Sequence, residues 1–158
     1  MKSTKKALRW IVQILRKHKI PYQISGGFAA KIYGSRRKLA DIDIEISEED
    51  FKKIIPELEK YIQFGPKKYK DKNWDLLLMT IKYKGQLIDF GGAYKTKIFY
   101  KKTKRWINLR SDFSKSEMKK IYGTVIPVIP KTSLLKYKKM LSRKVDKLDF
   151  INLEKSNT

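Results

Sequence analysis

Three aspartates in this 158-residue chain have the types and the spacing that could hold divalent cations. Asp41 and Asp43 alternate with isoleucines in the stretch DIDIEI, which predicts a half-buried strand with its carboxylates on one face. Two carboxylates that close repel each other unless a cation lies between them, so the pair predicts a Mg²⁺ site. Asp89 lies in a later apolar segment, QLIDF, where an unpaired carboxylate is costly. If the two segments are neighbouring strands, Asp89 completes a two-metal cluster and could accept the proton of an attacking hydroxyl.

A glycine pair upstream of these aspartates adds a way to bind phosphate. Gly26 and Gly27 follow a predicted short strand at 22–24 and precede a predicted short helix at 28–33. Adjacent glycines let backbone N–H groups approach phosphates closely, with a helix N-terminus behind them. Each feature alone has an ordinary structural reading, as a turn, a solvated strand edge or a hydrogen-bonded buried acid. The joint pattern is far more specific than its parts.

The elements that must position these residues can be predicted from periodicity and turn residues. We expect an amphipathic helix at 5–18, the strand 41–46, a helix at 48–62 capped by Ser47, a hairpin of 75–83 and 86–90 around Lys84-Gly85, a strand at 121–129, and two helices between 131 and 155. The chain shows no internal repeat, low-complexity tract or linker. It therefore predicts one compact α+β domain over 1–158.

The charge is large and unevenly distributed. The chain has 38 Lys plus Arg against 16 Asp plus Glu, a net charge of +22, yet residues 41–60 hold 8 of the acids. A carboxylate cluster inside a very basic protein suits a metal-dependent site for polyanions, although Lys-rich composition can also be a genomic habit. The absence of Cys excludes disulfide scaffolds and thiol nucleophiles, and His18 is the only histidine. No apolar run suits a membrane span or a secretory signal, so we expect a cytoplasmic protein.

A basic and aromatic segment at 94–110 is the candidate nucleic-acid interface. It interleaves aromatic side chains with seven basic ones, and aromatics among cations suit RNA or single strands. The candidate contact residues are Lys101, Lys102, Lys104, Arg105 and Trp106. The alternative is a strand with a solvated basic face and a buried aromatic face.

Residues 24–46, ISGGFAAKIYGSRRKLADIDIEI, resemble the signature of the nucleotidyltransferase superfamily, whose fold is related to DNA polymerase β. The similarity is greatest to its small members: minimal nucleotidyltransferases, lincosamide nucleotidyltransferases and AbiEii-like proteins. Arg37 (or Arg36) lies where many of them have an arginine before D-x-D, whereas Ala40 replaces a residue that is often charged. Residues 134–153 resemble the family's helical segment, with Lys138, Arg143 and Asp146 at the matching places.

The resemblance implies a polymerase β-like α+β fold: a mixed sheet with flanking helices in a core of about 20–128, and a C-terminal helical segment of about 131–155. It implies transfer of an NMP from an NTP to an acceptor hydroxyl with release of pyrophosphate, aided by two Mg²⁺ ions. The implied roles are metal binding by Asp41, Asp43 and Asp89, with proton acceptance by Asp89; triphosphate binding by Ser25, Gly26 and Gly27; and phosphate neutralisation by Arg37 and Lys138. Lys138 lies close to the apolar face of its helix, so it either snorkels or reaches into the site.

The acceptor is the open part of this interpretation. A protein of net charge +22 repels cationic antibiotics and attracts polyanions, so we expect RNA, such as tRNA, as the acceptor. Transfer of AMP to a protein within a toxin–antitoxin pair is the rival activity. A non-catalytic nucleic-acid-binding module on the same fold is the alternative from another class. Because the C-terminal region is short, a protein partner or a homodimer mate could complete the acceptor site.

Overall fold

The computed structural model describes residues 2–155. Its helices are α1 (Thr4–Lys17), α2 (Gly26–Ile32), α3 (Phe51–Leu58), α4 (Lys131–Leu141) and α5 (Lys144–Lys155). Its strands are β1 (Tyr22–Ser25), β2 (Asp41–Ile46), β3 (Ile62–Lys70), β4 (Trp74–Tyr83), β5 (Gln86–Gly92), β6 (Lys97–Tyr100), β7 (Arg105–Asn108), β8 (Glu117–Ile121) and β9 (Thr124–Val128). Short 3₁₀ turns lie at Glu48–Asp50, Glu59–Tyr61 and Phe113–Lys115.

The strands form one mixed sheet with β2 and β5 near its middle. The order along the sheet is β7-β6-β4-β5-β2-β1-β9-β8, and β3 pairs with β4 off this path. β2 runs parallel to β5, and β1 runs parallel to β9, while the other pairs are antiparallel. The predicted α+β class with a mixed sheet and C-terminal helices is confirmed. That 1–158 form one domain remains a prediction.

The alternation in β2 separates the core from the polar face. Ile42, Ile44 and Ile46 are at most 1% exposed and belong to the hydrophobic core, which also contains the apolar faces of α1 and α3. The acids between these isoleucines lie on the opposite face and are only half-buried. Burial of the isoleucines fixes the register of β2, because a slip by one residue would bury the acids instead. The core therefore determines which way the acids point.

Several predicted elements are confirmed and others are corrected. α1, β2 and the β4–β5 hairpin lie within a few residues of the predicted ranges. The predicted helix at 48–62 is only α3 between two 3₁₀ turns. Within residues 2–155, the Ser47 side chain makes no capping hydrogen bond, and its carbonyl instead accepts from the Asp50 N–H at 2.9 Å. The predicted strand at 121–129 is interrupted at Tyr122 and Gly123, whose φ angles of +52° and +78° form the β8–β9 turn.

None of the described helices combines the length and the apolar composition that crossing a bilayer requires.

Candidate active site

The three aspartates meet at the centre of the sheet. In the parallel β2–β5 pair, Asp43 lies directly opposite Asp89, and Asp41 lies two residues earlier on the same face of β2. One carboxylate oxygen from each residue lies within 4.8 Å of the other two. The two segments that carry the aspartates are therefore neighbouring strands, as the predicted cluster required. Three oxygen donors at this spacing match the ligands that Mg²⁺ prefers.

The electrostatics of the cluster also suit a cation. Burial, followed by the charges of Asp41 and Asp89, raises the pKa of Asp43 to about 8. Burial, followed by a hydrogen bond with Asp41, raises the pKa of Asp89 to about 7, although Thr80 Oγ donates to Asp89 Oδ1 at 2.6 Å and opposes this rise. Without a cation, the cluster therefore holds protons at neutral pH. A divalent ion would replace those protons, so the donor set fits a metal.

The glycine pair forms the start of α2 and adjoins the cluster. Gly26 has a φ of +59°, which L side chains rarely adopt, and a Cβ there would collide with the Asp43 carboxylate. The N–H of Gly27 donates to Asp43 Oδ2 at 3.1 Å. The N–H of Gly26 donates to the hydroxyl of Tyr137 at 2.8 Å. Both backbone amides that were predicted to bind phosphate therefore donate hydrogen bonds to side chains of this protein.

Tyr137 is a site residue that the sequence did not reveal. It lies on α4, is 3% exposed, and its hydroxyl is 3.3 Å from Ser25 Oγ as well as bonded to the Gly26 amide. Burial is the main reason why its pKa is raised well above its usual range. A tyrosine in a helix resembles any core aromatic in sequence, because only the fold brings α4 over the end of β1.

The two cations predicted to neutralise phosphate share one carboxylate. Asp149 Oδ2 lies 2.7 Å from Arg37 Nη2 and 3.0 Å from Lys138 Nζ. Lys138 also lies 3.2 Å from Asp146 Oδ1, and its side chain is 1% exposed, so it does not snorkel. The positive charge of Lys138 partly opposes the rise in the pKa of Asp43 that burial and the other aspartates cause. Lys138 is thus a buried cation beside the aspartate cluster.

Arg143 and Asp146 complete this ion-pair network. Arg143 Nε donates to Asp146 Oδ2 at 2.6 Å, and its Nη2 donates to Oδ1 at 3.0 Å. The network combines three cations, Arg37, Lys138 and Arg143, with two anions, Asp146 and Asp149. It therefore carries one excess positive charge next to the aspartate cluster. Asp149 was not singled out from the sequence, since it lies eleven residues beyond Lys138 on another helix.

One cavity joins these groups. It has a volume of about 400 Å³ and lies against the aspartate cluster, the glycine pair, Arg37 and Lys138. Its wall also includes apolar side chains of β4, namely Trp74, Leu76 and Leu78. This size is within the usual range for small-molecule and cofactor sites.

Solved structures share this architecture. A protein of Thermotoga maritima, described as a candidate nucleotidyltransferase, matches with a TM-score of 0.73 and 18% identity, over 96% of this chain and 92% of that one. The lincomycin-bound lincosamide antibiotic adenylyltransferase LnuA matches with a TM-score of 0.64 and 18% identity, over 98% and 99%. ANT(2")-Ia in complex with adenylyl-2"-tobramycin matches with a TM-score of 0.56 and 12% identity, over 94% and 86%. The chain has the nucleotidyltransferase fold. No protein-family model and no curated protein sequence matches it.

On this nucleotidyltransferase fold, the candidate nucleic-acid residues lie outside the cavity. Lys101, Lys102, Lys104 and Arg105 are exposed on the β6–β7 hairpin. Trp106 is half-buried: its ring centroid lies 5.5 Å from that of Phe99, and Lys70 Nζ lies 5.0 Å from the ring centre. β6 pairs with β4 at Trp74, so the hairpin belongs to the same half of the sheet as the apolar cavity wall.

A further acid of β2 also lies along the cavity. Glu45 accepts hydrogen bonds from Gln23 Nε2 at 2.7 Å and from Ser111 Oγ at 2.6 Å. Burial raises its pKa, and these donors oppose the rise. Its bonds connect β2 to β1 and to the loop after β7. Glu45 therefore lies on the same face of β2 as Asp41 and Asp43, and its Oε1 already accepts two hydrogen bonds.

Proposed function

We propose that this protein is a Mg²⁺-dependent nucleotidyltransferase. The carrying observation is the Asp41, Asp43 and Asp89 cluster, with oxygens within 4.8 Å of one another beside the glycine pair of a nucleotidyltransferase fold. The similarity to an adenylyltransferase and to a complex with an adenylylated product supports the same class of chemistry. The reaction is attack of an acceptor hydroxyl on the α-phosphate of an NTP, with pyrophosphate as the leaving group.

The three carboxylates would hold the metal. A bound Mg²⁺ would neutralise charge on the phosphate oxygens that change in the reaction. Asp89 has a further role, because Thr80 orients its side chain. We assign it the proton of the acceptor hydroxyl, since a positioned carboxylate can act as the general base of such an attack.

The triphosphate binds at the glycine pair. The amides of Gly26 and Gly27 exchange their present side-chain partners for phosphate oxygens. For Gly26 this replaces a neutral hydroxyl by a charged acceptor, which forms a stronger hydrogen bond. Ser25 lies at the same turn, and its hydroxyl is close to that of Tyr137. Arg37 and Lys138 supply positive charge to the triphosphate from the network that Asp149 holds in place.

The acceptor we propose is RNA, such as tRNA. The net charge of +22 supports it, because such a protein concentrates polyanions and repels cationic antibiotics. The exposed lysines of the β6–β7 hairpin offer contacts to phosphates, and Trp106 offers an aromatic ring beside them. The hairpin lies on the half of the sheet that carries the apolar cavity wall of β4.

A labelling experiment tests the activity and its acceptor. Wild type, Asp43→Asn and the control Asp112→Asn, which changes an exposed acid, are incubated with Mg²⁺, α-³²P-labelled NTPs and either total RNA or protein extract. We expect label in RNA with wild type and the control, and none with Asp43→Asn. Label in a protein band would show that the acceptor is a protein and not RNA. RNA binding without any transfer would favour the non-catalytic binding module.

A further inference from the structure

The apolar half of the cavity is not explained by phosphate or metal chemistry. Trp74, Leu76 and Leu78 alternate along β4 on the face that also carries Thr80, the partner of Asp89. All three apolar side chains border the cavity and are only partly buried. A site for metal and triphosphate alone would need polar groups here, so this wall points to another part of a ligand.

The strands and the helix around this wall add further carbon surface to the cavity. Gly91 lies opposite Leu78 in β5, and a Cβ on Gly91 would be 3.2 Å from Leu76 Cδ1. Tyr69 of β3 lies opposite Leu76 of β4, and its hydroxyl donates a hydrogen bond to Asp71 Oδ2 at 2.9 Å. Val145 lines the cavity from α5. The wall therefore offers mainly carbon surface from more than one side.

Tyr137 connects this wall to the phosphate end. Its hydroxyl accepts from the Gly26 amide at 2.8 Å, and its ring centroid lies 6.2 Å from that of Trp74 with the two planes at 68°. The Arg143 guanidinium lies 5.8 Å from the centre of the Trp74 ring. Polyanion-binding groups and an aromatic wall thus lie about one tyrosine side chain apart. A nucleoside triphosphate has this composition, since a ribose separates its phosphates from a flat base.

We propose that the apolar half of the cavity binds the base of the NTP, stacked against Trp74, with purines preferred over pyrimidines. This inference rests on the proposed function and adds a substrate preference to it. The preference follows from ring size, because the wall recognises aromatic area, and a purine covers more of it than a pyrimidine does. Stacking on one aromatic side chain contributes about 1–3 kcal/mol per base, which is roughly 5- to 150-fold in affinity.

Equilibrium binding without turnover tests the assignment. The ligands are the unreactive analogue α,β-methylene ATP, the corresponding CTP analogue and inorganic tripolyphosphate, each with Mg²⁺. For wild type we expect the ATP analogue to bind at least about tenfold tighter than tripolyphosphate, with the CTP analogue between them. Trp74→Ala should weaken the ATP analogue about tenfold and leave tripolyphosphate within about twofold. Trp10→Ala, which removes the tryptophan that stacks on Tyr83 outside the cavity, should change neither.

Further variants keep the test independent of folding defects. Trp74→Phe retains a smaller ring and should lose only about threefold in affinity for the ATP analogue. Gly91→Val fills the space beside Leu76 and should weaken the ATP analogue while tripolyphosphate still binds. An equal loss for all ligands in these variants would show a merely structural role for the wall and would overturn the proposal.

The remaining outcomes separate the two levels of inference. Equal affinity of wild type for the ATP analogue and tripolyphosphate would overturn the base subsite and leave nucleotidyl transfer standing. Failure of both ligands to bind would overturn the proposed function together with the subsite. An RNA oligonucleotide and its counterpart with a 3′-terminal abasic ribose form a separate arm. If Trp74→Ala abolishes the difference in affinity between these two RNAs and leaves the affinity for the ATP analogue unchanged, the base that stacks on Trp74 belongs to RNA. The assignment to the NTP is then wrong.

Discussion

Replacing Asp43 by Asn should stabilise the metal-free protein while abolishing its activity. Asp43 faces Asp41 and Asp89, and both burial and these neighbours disfavour its charged form. Asparagine has almost the same shape, and its Oδ1 can accept the N–H of Gly27 as the carboxylate does. The substitution therefore removes the repulsive charge and keeps the local hydrogen bond. It also removes a charged ligand from the proposed metal site.

The magnitude follows from the pKa of Asp43, which is raised from 3.8 to about 8. Between these values the folded protein keeps a proton that the unfolded chain has released, so the metal-free wild type loses stability as pH rises from about 4 to about 8. Each pH unit in this window corresponds to about 1.4 kcal/mol, which gives an upper bound of about 4 kcal/mol at pH 7. Because Asp43 borders a solvent-accessible cavity, we expect a gain of about 1–3 kcal/mol, or roughly 2–12 °C in Tm.

Thermal unfolding followed by circular dichroism measures this gain. Wild type, Asp43→Asn and the surface control Asp112→Asn are melted with EDTA at pH 5 and pH 8, and again with Mg²⁺. The advantage of Asp43→Asn should be larger at pH 8 than at pH 5, and Mg²⁺ should raise the Tm of wild type and of the control only. A lower Tm of Asp43→Asn than of wild type at pH 8 with EDTA would refute the reasoning.

Three further predictions concern the glycine pair, the metal site and the basic residues. Gly26→Ala should abolish transfer and destabilise the fold by about 1–3 kcal/mol, as measured by urea unfolding, because its φ is +59° and its Cβ would collide with Asp43. At subsaturating Mg²⁺, activity should rise between about pH 6 and 8, with a midpoint that excess Mg²⁺ lowers, because protons and the metal compete for the cluster. Changing Lys101, Lys102 and Lys104 to Gln should reduce the slope of log affinity for single-stranded RNA against log salt by about 2.

Each of these predictions has a contradicting result. Wild-type transfer by Gly26→Ala would show that the close approach at the start of α2 is dispensable. A pH profile that does not respond to the Mg²⁺ concentration would separate the titrating group from the metal site. An unchanged salt slope in the triple hairpin variant would place the RNA contacts elsewhere on the surface.

The sequence predicted the meeting of the three aspartates well because the pattern is local. The alternation in DIDIEI determines both a strand and the face of its acids, and QLIDF follows a clear turn at Lys84-Gly85. The pairing of β2 with β5 needed only one assumption, that the two apolar strands are neighbours. Core burial of Ile42, Ile44 and Ile46 then brings Asp43 opposite Asp89.

Other parts depend on contacts between distant elements and could not be read in this way. β3 has a glycine-proline pair and several lysines within it, which conceal any alternation, and its register against β4 is irregular. The β8–β9 turn uses Tyr122 in a left-handed conformation, a residue that does not signal a turn. The burial of Lys138 depends on Asp146 and Asp149, whose effect appears only when α4 packs on α5.

The measurement that tests the central claim most directly compares two labels on the same nucleotide. Wild type is incubated with Mg²⁺ and RNA, together with ATP labelled at either the α- or the γ-phosphorus, and both the RNA and the released phosphate species are resolved. Nucleotidyl transfer predicts that the α-label enters RNA, that the γ-label leaves as pyrophosphate, and that Asp89→Asn loses both. Entry of the γ-label into RNA, or full transfer by Asp89→Asn, would contradict the account.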